Sequence, residues 1–340
     1  MKIVVDENIP FIKGVLEPYF TVVYKKGTEI SAVDVCNADA LIIRTRTRCD
    51  AGLLEGSKVK FIGTATIGYD HIDTEYCKKN NIVYETAAGC NARAVMQYVA
   101  SALANLSKFQ NWNPEEKTLG IIGVGNVGTW VKWFAEKSGF NVICCDPPKK
   151  LIDPELPYTE LHSLLEISDI VTVHTPLICE SEHRTLDMVN DDFFRAMKDD
   201  SIFINTSRGE VVDEAALVNA LEVKLSAGVV DVWNNEPVID KNLVQKVAYA
   251  TPHIAGYSLQ GKANGTAIIV NKLSNFFNLP LKQWYPDVKK ISPDESINWK
   301  YIKNTINNYF DIIEESSRFI SDTDKFEDIR NNYDYREEYF

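Results

Sequence analysis

An arginine, a glutamate and a histidine, each placed just after a short apolar run, carry the most chemistry in this 340-residue sequence. Arg208 follows Ser201-Ile202-Phe203-Ile204-Asn205 inside Thr206-Ser207-Arg208-Gly209-Glu210. A guanidinium at a strand end suits planar, two-pronged recognition of a carboxylate, while a structural ion pair with Glu210 or Asp213 is the plainer use of the same residue. Glu236 lies in Asp231-Val232-Trp233-Asn234-Asn235-Glu236-Pro237, after the run Ala227–Asp231. His253 lies in Thr251-Pro252-His253-Ile254-Ala255-Gly256-Tyr257, after Ala248-Tyr249-Ala250. A lone histidine is more often structural than catalytic. A guanidinium, a carboxylate and an imidazole at three successive strand ends make an acid–base set able to hold an acid and move a proton.

A second constellation is Gly123-Val124-Gly125-Asn126-Val127-Gly128, a G-x-G-x-x-G between an apolar strand and a helical pattern. Its first glycine permits a tight turn, its second lets backbone approach a pyrophosphate, and its third lets helix and strand pack closely. The pattern alone is weak. Asp146 stands 146 − 128 = 18 residues beyond the last glycine, at the end of the next apolar run, where a carboxylate accepts from adenosine ribose hydroxyls. Pro147 and Pro148 follow where a binder of a 2′-phosphate more often places arginine, which favours NAD over NADP, although Lys149 and Lys150 lie close by.

Elements must hold these groups in place. The first ~90 residues alternate β-branched runs with helix-like stretches, the signature of a parallel sheet covered on both faces. A buried helical pattern over Val95–Phe109 leads to a second series of six strand candidates, the number a complete dinucleotide-binding sheet requires. The expected fold is α/β, with two doubly wound parallel sheets and an active cleft between them: residues 1–94 with 257–284 form a flavodoxin-like substrate domain and residues 95–256 a Rossmann cofactor domain. Residues 285–340, punctuated by proline and rich in acids and aromatics, are expected as a small separate unit or a partly mobile tail.

Composition narrows the partners. With 36 basic and 48 acidic residues the formal charge is −12, which repels nucleic acid and anionic lipid headgroups. No apolar run reaches the ~18–20 residues of a spanning helix, and the N-terminus lacks a charged leader followed by a long apolar stretch, so a cytoplasmic location is expected. Seven cysteines without C-x-x-C spacing read as reduced, buried thiols. Five histidines without an H-x-x-x-H pair suggest no metal site.

The fingerprint, Ser207-Arg208-Gly209, Asp231-Val232-Trp233 with Glu236-Pro237, and Thr251-Pro252-His253-Ile254-Ala255-Gly256 resemble the D-2-hydroxyacid dehydrogenase family. Val5-Asp6-Glu7-Asn8-Ile9-Pro10, Gly63–His71, Ala88-Gly89-Cys90-Asn91-Ala92 and His253–Lys262 are similar to one branch of it, which acts on a small phosphorylated 2-hydroxy acid and dimerises through its C-terminal region. The resemblance implies catalytic roles for Arg208, Glu236 and His253. It further implies cofactor contacts at Gly123, Gly125, Asn126, Val127, Gly128, Asp146, Thr175, Thr206, Ser207, Asp231 and Gly256, and substrate contacts at Thr45, Thr66 and Tyr257. A homodimer follows from it too. Two readings compete with that branch: another enzyme of the family, such as one acting on 3-phosphoglycerate, and an NAD-sensing corepressor or scaffold. A scaffold has no need of the three catalytic types together.

One motif remains. Arg44-Thr45-Arg46-Thr47-Arg48 follows the apolar run 40–43. Left extended, it aligns its arginines on one face and its threonines on the other, so Thr45 can share a phosphate site with Arg44 or Arg46 only if the chain turns.

Overall fold

The short β-branched runs become strands of two wholly parallel sheets. The computed structural model describes residues 1–340 as two units, 1–91 with 259–290 and 92–258 with 291–340.

In the first unit β1 (Lys2–Asp6), β2 (Thr21–Lys25), β3 (Ala40–Ile43), β4 (Phe61–Thr64) and β5 (Val83–Thr86) stand in the order β2-β1-β3-β4-β5. Strand alternation sends Ile3, Val5, Ile42 and Phe61 to one face, where Ile269, Val270 and Leu273 of helix Leu259–Phe277 cover them. Val4, Leu41, Ile43 and Ile62 face the other way, onto Val35, Leu53 and Leu54. The returning helix comes so close that a Cβ on Gly63 would lie 2.6 Å from Ile269 Cγ2.

In the second unit β6 (Thr118–Ile122), β7 (Asn141–Cys145), β8 (Ile170–Val173), β9 (Ser201–Asn205), β10 (Leu225–Val230) and β11 (Tyr249–Ala250) stand in the order β11-β10-β9-β8-β6-β7. A parallel bridge from Tyr158 to Cys144 adds a vestigial strand beyond β7. Counting it, the order is that of a dinucleotide-binding sheet, whose ligand crevice opens at the carboxyl ends where strand order reverses, here between β6 and β8. Helix Ala92–Gln110, predicted as Val95–Phe109, and helix Asn126–Ser138 cover one face.

The C-terminal residues do not form the separate unit expected of 285–340. Residues 285–290 stay with the first unit and 291–340 build into the second. Their apolar content explains this. Ile302, Ile306, Phe310, Ile312 and Phe340 join the core of one sheet face, and Phe319, Phe326 and Ile329 join the core of the other. Burial of each such side chain contributes about 1.5–3 kcal/mol. Helix Ile312–Ser321 also blunts the sheet edge, since Ser316 Oγ accepts from the β11 amide of Ala250 at 2.9 Å. Two cysteines, Cys36 and Cys179, are exposed rather than buried, because both sit in polar turns.

Candidate active site

Three glycines shape the fingerprint turn after β6, and each does something different. Gly123 has φ +85°, and a Cβ there would lie 2.9 Å from the His174 carbonyl oxygen. Gly128 is the contact point of helix and strand: its Cβ would lie 2.0 Å from Gly123 O. Around the Cβ position of Gly125 there is nothing within 4 Å. That open space beside the N-terminus of helix Asn126–Ser138 fits a pyrophosphate, which the helix dipole favours. Asn126 and Val127 begin the helix. Asp146, 8% exposed, ends β7 with Oδ2 accepting from the Val124 amide at 2.8 Å and Oδ1 from the Lys149 amide at 3.1 Å. The carboxylate thus ties the turn to β7 and keeps unused lone pairs for ribose hydroxyls.

Beyond β8, Thr175 Oγ1 is buried without a protein partner, the mark of a group awaiting a ligand. Its neighbour His174 bridges Thr172 Oγ1 at 3.0 Å and Thr206 Oγ1 at 3.2 Å. Burial pushes this imidazole down to about 3, so it is neutral and fixes the Thr206 hydroxyl.

Asn205 closes β9 and folds the following turn: its Oδ1 accepts from the Ser207 amide and hydroxyl at 3.0 and 2.8 Å, and its Nδ2 donates to Arg208 O at 2.9 Å. Arg208 is extended (φ −142°), and its Nη1 donates to Ser207 O at 2.7 Å. Gly209 seats this turn on the next one. Its Cβ would lie 2.0 Å from the Trp233 carbonyl carbon, so the Arg208 segment rests directly on the segment leading to Glu236.

Glu236 and His253 are paired. His253 Nδ1 is 3.0 and 2.9 Å from the two oxygens of Glu236, and Oε1 also accepts from the Trp233 amide at 3.1 Å. Burial alone raises the Glu236 carboxyl, but His253 and then Arg330 outweigh it and hold the group below its ordinary range. An ionised carboxylate on Nδ1 fixes the tautomer and leaves Nε2, which makes no protein hydrogen bond, as the nitrogen able to accept a proton.

The loop carrying His253 hangs on Asp231. His253 has φ +58°, a conformation costing a non-glycine residue about 1–3 kcal/mol. The surrounding bonds offset that strain. Asp231 O accepts from the His253 amide at 2.7 Å, Oδ1 from Thr251 Oγ1 at 2.6 Å and from the Ile254 amide at 2.8 Å, and Oδ2 from the Ala255 amide at 2.9 Å. Tyr98, fully buried in helix Ala92–Gln110, pairs its hydroxyl with Thr251 Oγ1 at 2.7 Å. Asp231 is 1% exposed, and burial raises its carboxyl against the pull of His253 and these donors. These contacts pin the loop that carries His253. On the other side of the loop Arg336 donates to Ile254 O at 3.2 Å, Tyr257 O at 3.0 Å and Ala255 O. Gly256 completes that stretch.

The first unit brings its own strand-end residues. The chain does turn after β3: the Thr47 amide points to Arg44 O at 3.5 Å and Thr47 Oγ1 donates to Gly27 O at 2.9 Å. Thr45 and Arg46 are exposed at that turn, and Arg44 Nη1 donates to Asn8 O at 3.3 Å. After β4, Thr66 Oγ1 pairs with Thr64 Oγ1 at 2.7 Å.

Sequence reasoning overlooked Tyr98, Asn205, His174, Arg330 and Arg336. The two arginines left one trace: they are the only arginines in the last twenty residues, a stretch dominated by acids and aromatics. Three of its aromatics are core residues of this chain, with Phe326 and Phe340 1% and Tyr333 7% exposed.

Residues 90–255 match the family described as D-isomer specific 2-hydroxyacid dehydrogenase, NAD binding domain. The chain is 42% identical over 340 residues to an erythronate-4-phosphate dehydrogenase of Bacteroides thetaiotaomicron, covering 99% of this chain and 97% of that one. A protein of the same name from Escherichia coli O157:H7 is 35% identical over 350 residues, covering 100% and 92%. Among solved structures, NAD+-bound 3-phosphoglycerate dehydrogenase of Entamoeba histolytica is 25% identical with a TM-score of 0.67, over 86% of this chain and 99% of that one. A D-lactate dehydrogenase of Aquifex aeolicus, at 24% identity and a TM-score of 0.67 over 85% and 100%, shares the fold.

Proposed function

The chain belongs to the D-isomer specific 2-hydroxyacid dehydrogenases, and from that premise we propose that it oxidises 4-phospho-D-erythronate to (R)-3-hydroxy-2-oxo-4-phosphooxybutanoate, a step of pyridoxal 5′-phosphate biosynthesis. It is an NAD-dependent dehydrogenase. The observation that carries the reading is the His253–Glu236 pair, with the Arg208 turn seated through Gly209 on the segment leading to Glu236, in the same sheet as the fingerprint turn. The same-named relatives, similar over nearly the whole chain, support the phosphorylated four-carbon substrate.

Arg208 holds the substrate carboxylate and polarises the C2 oxygen. His253 Nε2 accepts the C2 hydroxyl proton, and Glu236 holds the ring in register and stabilises the imidazolium that forms. When bound, NAD+ supplies the acceptor for the C2 hydride. Asn205 and Gly209 keep Arg208 in place, and Asp231 does the same for His253. Tyr257, Thr45 and Thr66 contact substrate, and Arg44 with Arg46 meets the phosphate, local positive potential against an overall charge of −12.

The test is the appearance of reduced cofactor with 4-phospho-D-erythronate, unphosphorylated D-erythronate, 3-phosphoglycerate and D-lactate, each with NAD and with NADP. Preference for the first substrate and for NAD is expected. Faster turnover of 3-phosphoglycerate would move the protein to another branch. R44A or R46A should weaken the phosphorylated substrate by about 2–3 kcal/mol, the scale of a charge-assisted contact, and barely change activity on D-erythronate. Equal losses on both would put the phosphate elsewhere. The protein works in the cytoplasm as a homodimer assembled through residues 285–340, whose outward apolar side chains include Tyr301, Tyr309 and Ile313; sedimentation of full-length protein checks the dimer. No helix is long and apolar enough to cross a membrane.

A further inference from the structure

Helix Phe326–Asn331 buries Phe326 and Ile329 in the sheet core and thereby points Arg330 at the catalytic pair. Arg330 Nε donates to Tyr257 Oη at 3.1 Å, its guanidinium lies 5.9 Å from the centre of the Tyr257 ring, and Nη1 stands 3.7 Å from Glu236 Oε2. That oxygen is the one 2.9 Å from His253 Nδ1. Arg330 and Glu236 are both largely enclosed, with 17% and 19% of their side chains exposed, so their charges are weakly screened.

We propose that Arg330 is a positioning residue for the reaction: it shares the Glu236 carboxylate with His253, and so sets how strongly that carboxylate holds a proton on the imidazole, while its Nε bond orients Tyr257. The proposal rests on the dehydrogenase reading for its kinetic consequence but on geometry alone for its electrostatic one.

The charges around the pair fix the sign. Two carboxyls face the imidazole, Asp231 just past β10 and Glu236, and His253 pulls both of them down. Arg330 opposes them as a neighbouring cation and by drawing on Glu236. Glu327, on the same helix as Arg330, favours the arginine's charge, and Tyr257 acts on it from the catalytic loop. Removing the arginine charge leaves His253 as the only cation on Glu236, beside the neutral Trp233 amide, and deletes a repelling cation, so in the variants the imidazole should keep its proton to higher pH. In the oxidation direction His253 must be neutral to accept the hydroxyl proton, so the acidic limb of kcat/KM moves to higher pH by the same amount.

The decisive measurement is the NMR titration of the His253 ring in full-length protein, its resonance assigned by loss in H253N, with NAD affinity and the other histidine signals reporting that each variant is folded. R330Q and R330M should each shift the His253 transition upward by about half to one pH unit, and the acidic limb of kcat/KM should follow. R330K, which keeps the charge but loses the Nε geometry, should titrate within about 0.3 unit of wild type while raising KM. Y257F should raise KM and leave the titration in place. Making two neutral variants guards against a packing defect in either. Wild-type titration in both R330Q and R330M, or an R330K shift as large as theirs, would overturn the proposal. If wild-type enzyme turned over no 2-hydroxy acid, the functional reading would fail while the titration still decided the role of Arg330.

Discussion

The turn at 123–128 and the loop at 251–258 stand at strand ends of one sheet and are held in shape by opposite means. The turn is shaped by missing side chains: Gly123 and Gly128 sit where a methyl group would strike a carbonyl, and Gly125 leaves the space beside the helix N-terminus open. The loop is shaped by side chains arriving from elsewhere, with Tyr98 153 residues away from Thr251, Asp231 23 residues from Ile254, and Arg336 82 residues from Ile254. Steric constraint is local and fails when an atom is added. Polar constraint is distributed and fails when a partner is removed.

Adding the atom should do the most damage. G128A places a methyl 2.0 Å from Gly123 O, so helix and strand must part, at a cost of about 3 kcal/mol in denaturant unfolding and a large loss of NAD affinity. G125A, with open space at its Cβ, should leave stability nearly unchanged and weaken NAD alone. Equal stability losses in the two would end the claim that these glycines do different things.

Removing the reacting groups comes next. H253A and R208A should each lower kcat/KM by at least ~10²-fold with NAD affinity within about threefold of wild type, as seen by fluorescence titration. Either variant keeping more than half of wild-type activity would strip that residue of its role.

The loop's supports should give graded effects. Y98F and T251V each remove one partner from the chain of hydroxyls leading to Asp231, a loss of about 1–2 kcal/mol in stability, with kcat falling more than NAD affinity. A neutral outcome for T251V would show that the backbone amides alone hold Asp231 and the loop.

The smallest effect appears only in acid. His174 titrates near 3 in the folded protein against an ordinary 6.5, so below pH 6.5 the unfolded chain binds a proton that the folded one does not. The stability contributed by neutral His174 is complete above pH 6.5 and declines as pH falls toward 3, by up to about 1.4 kcal/mol per unit. H174N, which cannot titrate, should lose stability less steeply over that window. Parallel curves would mean the ring is more hydrated than its contacts with Thr172 and Thr206 suggest.

The same division governs what the sequence reveals. Parallel strands, the six-strand cofactor sheet, the fingerprint glycines and the triad's residue types were legible because each is written in neighbouring letters: a period of two, a glycine spacing, a charged residue after an apolar run. Tyr98, Arg330 and Arg336 were not, because a buried tyrosine on an apolar helix and arginines in an acidic tail have no local pattern that marks their distant partners. The tail was only partly legible for a related reason. Its acids and aromatics stand out in the sequence, but nothing local marks Phe340 as core on one face of the second sheet or Phe319 and Phe326 on the other. Asp231 stood in a legible motif, and only the structure shows its oxygens turned to the loop that carries His253.

Helix Leu259–Phe277, whose contact with Gly63 fits only a hydrogen there, also orders events in time. During synthesis the strands of residues 1–91 emerge 168 residues ahead of the helix that covers Ile3, Val5, Ile42 and Phe61. At ~5–20 residues per second the ribosome needs roughly ten to thirty seconds to deliver it. For that interval the strands have only Ile9, Ile12, Leu16 and Phe20 of their own segment to pack on that face, and the first domain is finished only after the second has been largely made.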